Sequence, residues 1–241
     1  MSFGTMTQPP PRNFNRPPPP GPNIPPIPGP APGTLLHDSA IHTQLHNGIP
    51  RTITHEGLYE CRASGQPRLQ VNPDHTFSLL CNAGHGRFYV YVPNYNVYMI
   101  IVAGWGNQVA GQDISLKLRS RHNENDPCDN RFGGYGWAGD RGGWSAKIEP
   151  CHNNHTPVGS GSLPFKIGTG QFVTYEFSVK DEGSGVRQIN KVNGTVVFNK
   201  VIPRQPLTPA AFAQRSYVWI RQNIDSGTGE LRIKNLKLYA I

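Results

Sequence analysis

From residue 58 onward the chain alternates apolar and polar residues with a period of two, and no segment keeps a long helical period. Asp113–Arg121 shows it most sharply. Ile114, Leu116 and Leu118 fall on one face, and Ser115, Lys117, Arg119 and Arg121 on the other. Arg87–Val92 sets Phe88, Val90 and Val92 against Tyr89 and Tyr91. Trp144–Glu149 turns Trp144, Ala146 and Ile148 inward, and Gln171–Lys180 does the same with Val173, Tyr175, Phe177 and Val179. Ser216–Gln222 sets Val218 and Ile220 against Tyr217, Trp219 and Arg221. This is the pattern of a half-buried antiparallel sheet. Shorter strands are expected at 58–62, 68–72, 76–81, 97–103, 186–192 and 195–201.

The punctuation agrees. Asn193-Gly194 between two strand-like runs is a strong hairpin signal. In the last strand the apolar phase slips between Leu231/Ile233 and Leu236/Leu238, which predicts a bulge near Asn235. About ten strands with Gly- and Pro-marked turns predict an all-β fold, a two-sheet antiparallel jelly-roll sandwich over residues 35–241.

Composition separates the N-terminus from that body. Of 24 prolines, 13 fall in residues 1–34. Residues 9–33 cannot feed a helix or a sheet ladder, because proline lacks the donor and fixes φ. They are expected as an extended polyproline II arm or linker, with Phe14, Ile24 and Ile27 as spaced apolar anchors. The arm carries only Arg12 and Arg16, so +6 of the formal +8 belongs to the body. A basic body attracts polyanions, acidic polysaccharide as well as nucleic acid. Nucleic acid is not the expected partner, since the arm is poor in Lys and Arg and no reader motif occurs. The longest apolar run, Met99–Ala103, is strand-length, so no membrane span is expected. Met1–Arg16 lacks the apolar stretch of an export signal, although a glycan-binding role favours an extracellular site.

Chemistry-bearing residues crowd into 117–156. Three cations at alternate positions of one strand share a face in this pattern, which costs repulsion unless an anion offsets it. The glycan-binding candidates are therefore Lys117, Arg119 and Arg121, with Asn130 and Arg131 and, from the expected glycine-aromatic ligand loop Phe132–Trp137, Tyr135 and Trp137. Tyr217, Trp219 and Arg221 join them from a neighbouring strand. Charge reversal at Arg119 and Arg121 is expected to abolish binding without unfolding. β-Elimination of a uronic-acid polymer needs a carboxylate neutraliser, a base and an acid. Arg119, His122, His152 and Tyr135 supply those residue types. The carboxylates Glu149 and Glu176 lie on expected strands, with nothing to set them opposite each other for glycoside hydrolysis.

The four cysteines, Cys61, Cys81, Cys128 and Cys151, contain no C-x-x-C. Cys128 and Cys151 are disulfide candidates; Cys61 and Cys81 either pair likewise or remain buried thiols. Cys128 with Cys151, His152 and His155 matches no structural zinc module. No cofactor is expected, and a structural calcium at Asn123–Asn130 is the one metal alternative.

The closing strand Gly229–Tyr239 and the basic strand Leu116–His122 resemble the concanavalin-like jelly-roll group of lectins and alginate or glucuronan lyases. Where those lyases carry Arg-x-Glu-Leu-Arg, Gln-Ile-His and Tyr-Phe-Lys strands, this chain has Lys117-Leu118-Arg119, Lys147-Ile148-Glu149 and Val218-Trp219-Ile220-Arg221. The resemblance implies a jelly roll with a glycan-facing groove. Two functions are expected in turn. The first is an acidic-polysaccharide binder, with lyase activity as its extension. The second is a self-assembling filament, sheath or capsid subunit whose residues 1–34 strap onto neighbouring copies.

Overall fold

The computed structural model of the chain describes residues 32–39, 58–61, 68–72, 76–92, 96–120, 134–151, 154–204 and 216–241. Their strands, in chain order, are β1 (Leu35–Asp38), β2 (Leu58–Cys61), β3 (Arg68–Val71), β4 (Phe77–Cys81) and β5 (Gly84–Val92). They continue with β6 (Val97–Trp105), β7 (Asp113–Ser120), β8 (Gly134–Gly139), β9 (Gly143–Cys151) and β10 (Asn154–Ser162). The last five are β11 (Val173–Glu182), β12 (Gly185–Val192), β13 (Thr195–Pro203), β14 (Ser216–Ile224) and β15 (Gly229–Ala240).

They form two antiparallel sheets. One runs β13-β12-β11-β6-β15-β4-β3, with β1 also paired to β15, and the other runs β10-β9-β8-β7-β14-β5-β2. Sequence neighbours such as β5 and β6 lie in different sheets, so the chain repeatedly crosses the sandwich as a jelly roll requires. Between the sheets lie the residues that the alternation turned inward: Phe88, Val90 and Val92, Ile114, Leu116 and Leu118, Val173, Phe177 and Val179, and Val218 and Ile220, all fully or almost fully buried. Phe77 and Phe88 meet edge-on across the sheets, with centroids 5.8 Å apart.

The expected turn and bulge both occur. Asn193 (φ 49°) and Gly194 (φ 77°) form the β12–β13 hairpin in the left-handed conformations that this turn demands. The β15–β6 register shifts between Ile233 and Asn235. Three strands were not foreseen: β1, β8 and β10. β8 falls where the glycine composition predicts a loop, yet Gly134, Gly136 and Ala138 alternate with Tyr135 and Trp137 as strand residues do.

Two placements correct the sequence reading. Tyr135 and Trp137 are not on an exposed ligand loop. They point into the core, 0% and 1% exposed, with Trp137 against Tyr175. Arg119 does not share a face with Lys117. It sits at φ 53°, where the β14–β7 register shifts between Tyr217 and Trp219. That bulge inserts one residue and turns Arg119 toward the other sheet.

Cys61 belongs to β2 and Cys81 to β4, strands of different sheets, and Cys81 is a buried free thiol. The pairing of those two is therefore set aside, and Cys81 is the buried thiol that the alternative foresaw. Cys128 and the Cys151 side chain lie outside the described residues. No helix of the described residues is long and apolar enough to cross a membrane.

Candidate functional site

The registers lay out the outer face of the seven-stranded sheet row by row. In the central row Lys147, Gly136, Lys117 and Trp219 stand side by side on β9, β8, β7 and β14. The next row holds Ser160, Ser145, Ala138, Ser115, Arg221 and Arg87. Asp113 opposes Asn223, and Asn223 opposes His85, at the sheet's end.

Most of this chemistry is packed. Lys117 is 2% exposed and Trp219 3%. Lys117 Nζ lies 4.2 Å from the centre of the Trp219 ring and forms an ion pair with Glu149. Lys147 Nζ reaches the other Glu149 oxygen at 2.8 Å. The glycines of β8 make room: a Cβ on Gly134 would fall 2.6 Å from the Lys117 side chain, and one on Gly136 3.1 Å from that of Lys147. Burial pushes the Lys117 ammonium down to about 8, against the pull of Glu149. Burial acts to raise the Glu149 carboxyl, but Lys117 and Lys147 together hold it below its ordinary value. Burial, with Arg221 and Arg87 nearby, lowers His85 to about 4.

Arg119 is committed elsewhere. It donates to Asp181 at 3.0 Å and to the Val179 carbonyl at 3.3 Å, and also bonds Asn96; Arg204 shares Asp181 at 2.6 Å. It therefore pins the two sheets together. Charge reversal there is expected to unfold the sandwich rather than report on a ligand.

Space for a ligand opens at the Asp113 end. Two adjoining clefts, of about 430 and 440 Å³, share Asp113 and Asp140. The first is lined by Ser145, Ser160, Trp144 and the glycines 139, 143 and 161; Gln112 and Arg141 line the second. Asp140 accepts from the Gly142 and Gly143 amides at 2.7 and 2.5 Å, which fixes the β8–β9 turn. Asp113 accepts from Asn223 at 2.5 Å. Burial raises its carboxyl, while Asn223, Arg221 and Lys147 pull it back. Trp144 packs on Phe198 at the sandwich edge, with ring centres 6.0 Å apart, and steadies the cleft wall. Gln112 is buried and donates to the Glu230 carbonyl at 3.2 Å. Carboxylates, hydroxyls and backbone edges over a floor without large side chains can accept hydrogen bonds from a hydroxyl-rich molecule.

Of the expected site residues, Lys117, Trp219 and Arg221 come together on this face. Tyr217 takes its backbone place between Tyr91 and Ser120. Arg121, His122, Asn130, Arg131 and His152 lie outside the described residues, as does the calcium candidate Asn123–Asn130. Among the described residues no group of three His, Cys, Asp or Glu could hold a metal. Tyr135 and Arg119, buried between the sheets, do not reach the outer face. Glu149 and Glu176 lie on different sheets and cannot flank one glycosidic bond. The sequence reading missed Asp113, Asp140, Ser145 and Ser160. The signal for one of them was present, since Asp140 two residues before Gly142-Gly143 marks a turn cap.

No family model and no curated protein sequence matches the chain. Solved structures do. An endo-1,3-β-glucanase from Streptomyces sioyaensis superposes with a TM-score of 0.59 at 9% identity, covering 88% of this chain and 98% of that one. The carbohydrate-binding module CBM66 from Bacillus subtilis gives 0.52 at 9% identity, covering 79% and 100%. The potassium-bound carbohydrate recognition domain of Emp46p gives 0.54 at 10% identity, covering 82% and 96%. The fold is that of the concanavalin-like jelly-roll group, as the resemblance implied. At these identities the likeness establishes the fold alone.

Proposed function

We propose that the chain is a glycan-binding protein that takes a polysaccharide along the outer face of its seven-stranded sheet. The observation that carries this reading is the open cleft walled by Asp113, Asp140, Ser145 and Ser160 beside Lys147 and Arg221. Sugar hydroxyls donate to the two carboxylates, which hold their places through Asn223 and the β8–β9 turn amides. The polymer is acidic, its carboxylate or sulfate groups lying over Lys147 and Arg221. These two stand close enough to Asp113 to offset part of the rise that burial imposes on its carboxyl. Lys117 serves from beneath by holding Glu149 in place. The fold neighbours, which include carbohydrate-binding and glucan-cleaving proteins, favour a saccharide over other hydroxyl-rich ligands.

Titration calorimetry with a polyuronate, a sulfated polysaccharide and a neutral β-glucan tests the proposal. Saturable binding of an acidic polymer, weakened by Lys147→Glu, is expected. Binding of the neutral glucan alone would refute the acidic assignment, and binding of none would refute the function. An assay for unsaturated uronate in the same samples decides whether binding extends to β-elimination.

A further inference from the structure

The outer face of the eight-stranded sheet carries a feature that the glycan reading does not use. All three large hydrophobic side chains exposed among the described residues, Leu35 (42%), Val196 (52%) and Val201 (48%), lie on this face or its β13 edge. The registers run from Leu35 across the face through partly buried residues and reach β13 at Asn199, which lies between Val196 and Val201. Leu35 opposes Tyr239, Tyr239 opposes Tyr98, Tyr98 opposes Ser178, and Ser178 opposes Ile189. The Tyr98 and Tyr239 rings lie side by side, with centres 6.2 Å apart and planes 31° apart. The Tyr98 hydroxyl donates to Glu176, which Lys191 also holds at 3.0 Å, so the ring is fixed before anything lands on it.

This row begins where the proline-rich segment leaves the body. Gly33 donates to the Ala240 carbonyl at 2.7 Å, and Ala240 donates to the Thr34 carbonyl at 2.9 Å, which anchors the exit beside Tyr239. Gly33 has φ 85°, a left-handed turn available to glycine at no steric cost. Tyrosine rings set in a shallow row are the surface on which polyproline II segments dock, because the preformed helix loses little entropy there. Residues 9–31 reach roughly 70 Å at about 3.1 Å per residue. The five strand spacings from β1 to β13 span only about 24 Å. We propose that the chain's own residues 9–31 dock across this face, with Leu35, Tyr239 and Tyr98 receiving prolines and Phe14, Ile24 or Ile27 covering the exposed valines. The arm thereby shields one sheet and leaves the other to the glycan.

Carbon-detected NMR of the full-length protein reads the arm directly, since proline has no amide proton. Proline signals as broad as those of the body are expected, together with sharp ones in a Leu35→Ser/Tyr98→Ala variant whose sheet signals are unchanged. Tyr98→Phe keeps the ring and should keep the arm docked. Leu35→Ser alone, at an exposed position, secures the comparison against loss of fold. Sharp proline signals in the native chain would overturn the proposal, and so would broad signals indifferent to the substitutions. Broadening that vanishes on dilution as the mass falls would assign the docked arm to a second copy, which overturns docking within one chain.

Discussion

The outer faces of the two sheets are built from similar residue types and differ in what surrounds the charge. On the seven-stranded sheet Lys117 and Trp219 are buried, and Glu149 lies between two lysines over a floor of β8 glycines. On the eight-stranded sheet the Arg187–Glu182 pair is open to water, while Lys191 reaches from the surface to a part-buried Glu176. There it is the apolar side chains, Leu35, Val196 and Val201, that stand exposed. A pair kept from water is held in one geometry and perturbs its neighbours. A pair in water is screened and contributes little. The first arrangement can preorganise a polar ligand site; the second leaves an apolar track with charges that only decorate it.

The sharpest way to break this contrast is Lys117→Ala. It leaves Glu149 in a buried place with Lys147 alone, and a loss of about 3 kcal/mol in urea denaturation is expected. Replacing the pair together, as Lys117→Met/Glu149→Leu, should recover most of that loss. A cost in the double variant equal to the single one would show that the charges are not coupled. Next comes Asp140→Asn, which keeps the acceptor for the turn amides but removes the charge. Polysaccharide affinity should fall roughly 10- to 100-fold, the worth of a charged hydrogen bond, with an unchanged melting temperature.

The pH dependence is smaller and has two limbs. His85 sits at about 4 in the fold against 6.5 in the open chain, so the unfolded state binds more protons in between. Stability is therefore lost as pH falls from about 6.5 to 4, and His85→Gln should flatten that limb. Lys117, at about 8 against 10.5, raises stability as pH climbs through that window. Cys81, at about 11 against 9.0, lowers it between those values. Lys117→Met should leave the fall due to the thiol, joined above about pH 10 by Tyr98 and Tyr175, whose hydroxyls burial pushes up. The smallest effect is expected from Arg187→Ala on the other sheet: little or no change in the denaturation midpoint, shrinking further in salt.

The fold was legible because the core obeys period two. Ile114, Leu116 and Leu118, or Val173 to Val179, announce their face without help from the rest of the chain. Arg119 was not legible, since its direction depends on a single left-handed residue that alternation cannot register. Tyr135 and Trp137 were misplaced for a related reason. The glycines between them suggested a loop, when in a strand they are the outer face that makes room for Lys117 and Lys147. The cleft was the least visible part. Asp113 and Asp140 lie 27 positions apart and meet only because β7 and β8 pair with Ile114 opposite Gly139.

The most direct test of the account is a calorimetric titration of a polyuronate into the native protein and into Asp140→Asn under one buffer. Saturable binding to the native protein, weakened at least about tenfold in a variant that melts at the same temperature, is the predicted result. Equal affinity for the two proteins would place the ligand elsewhere and contradict the assignment of this cleft.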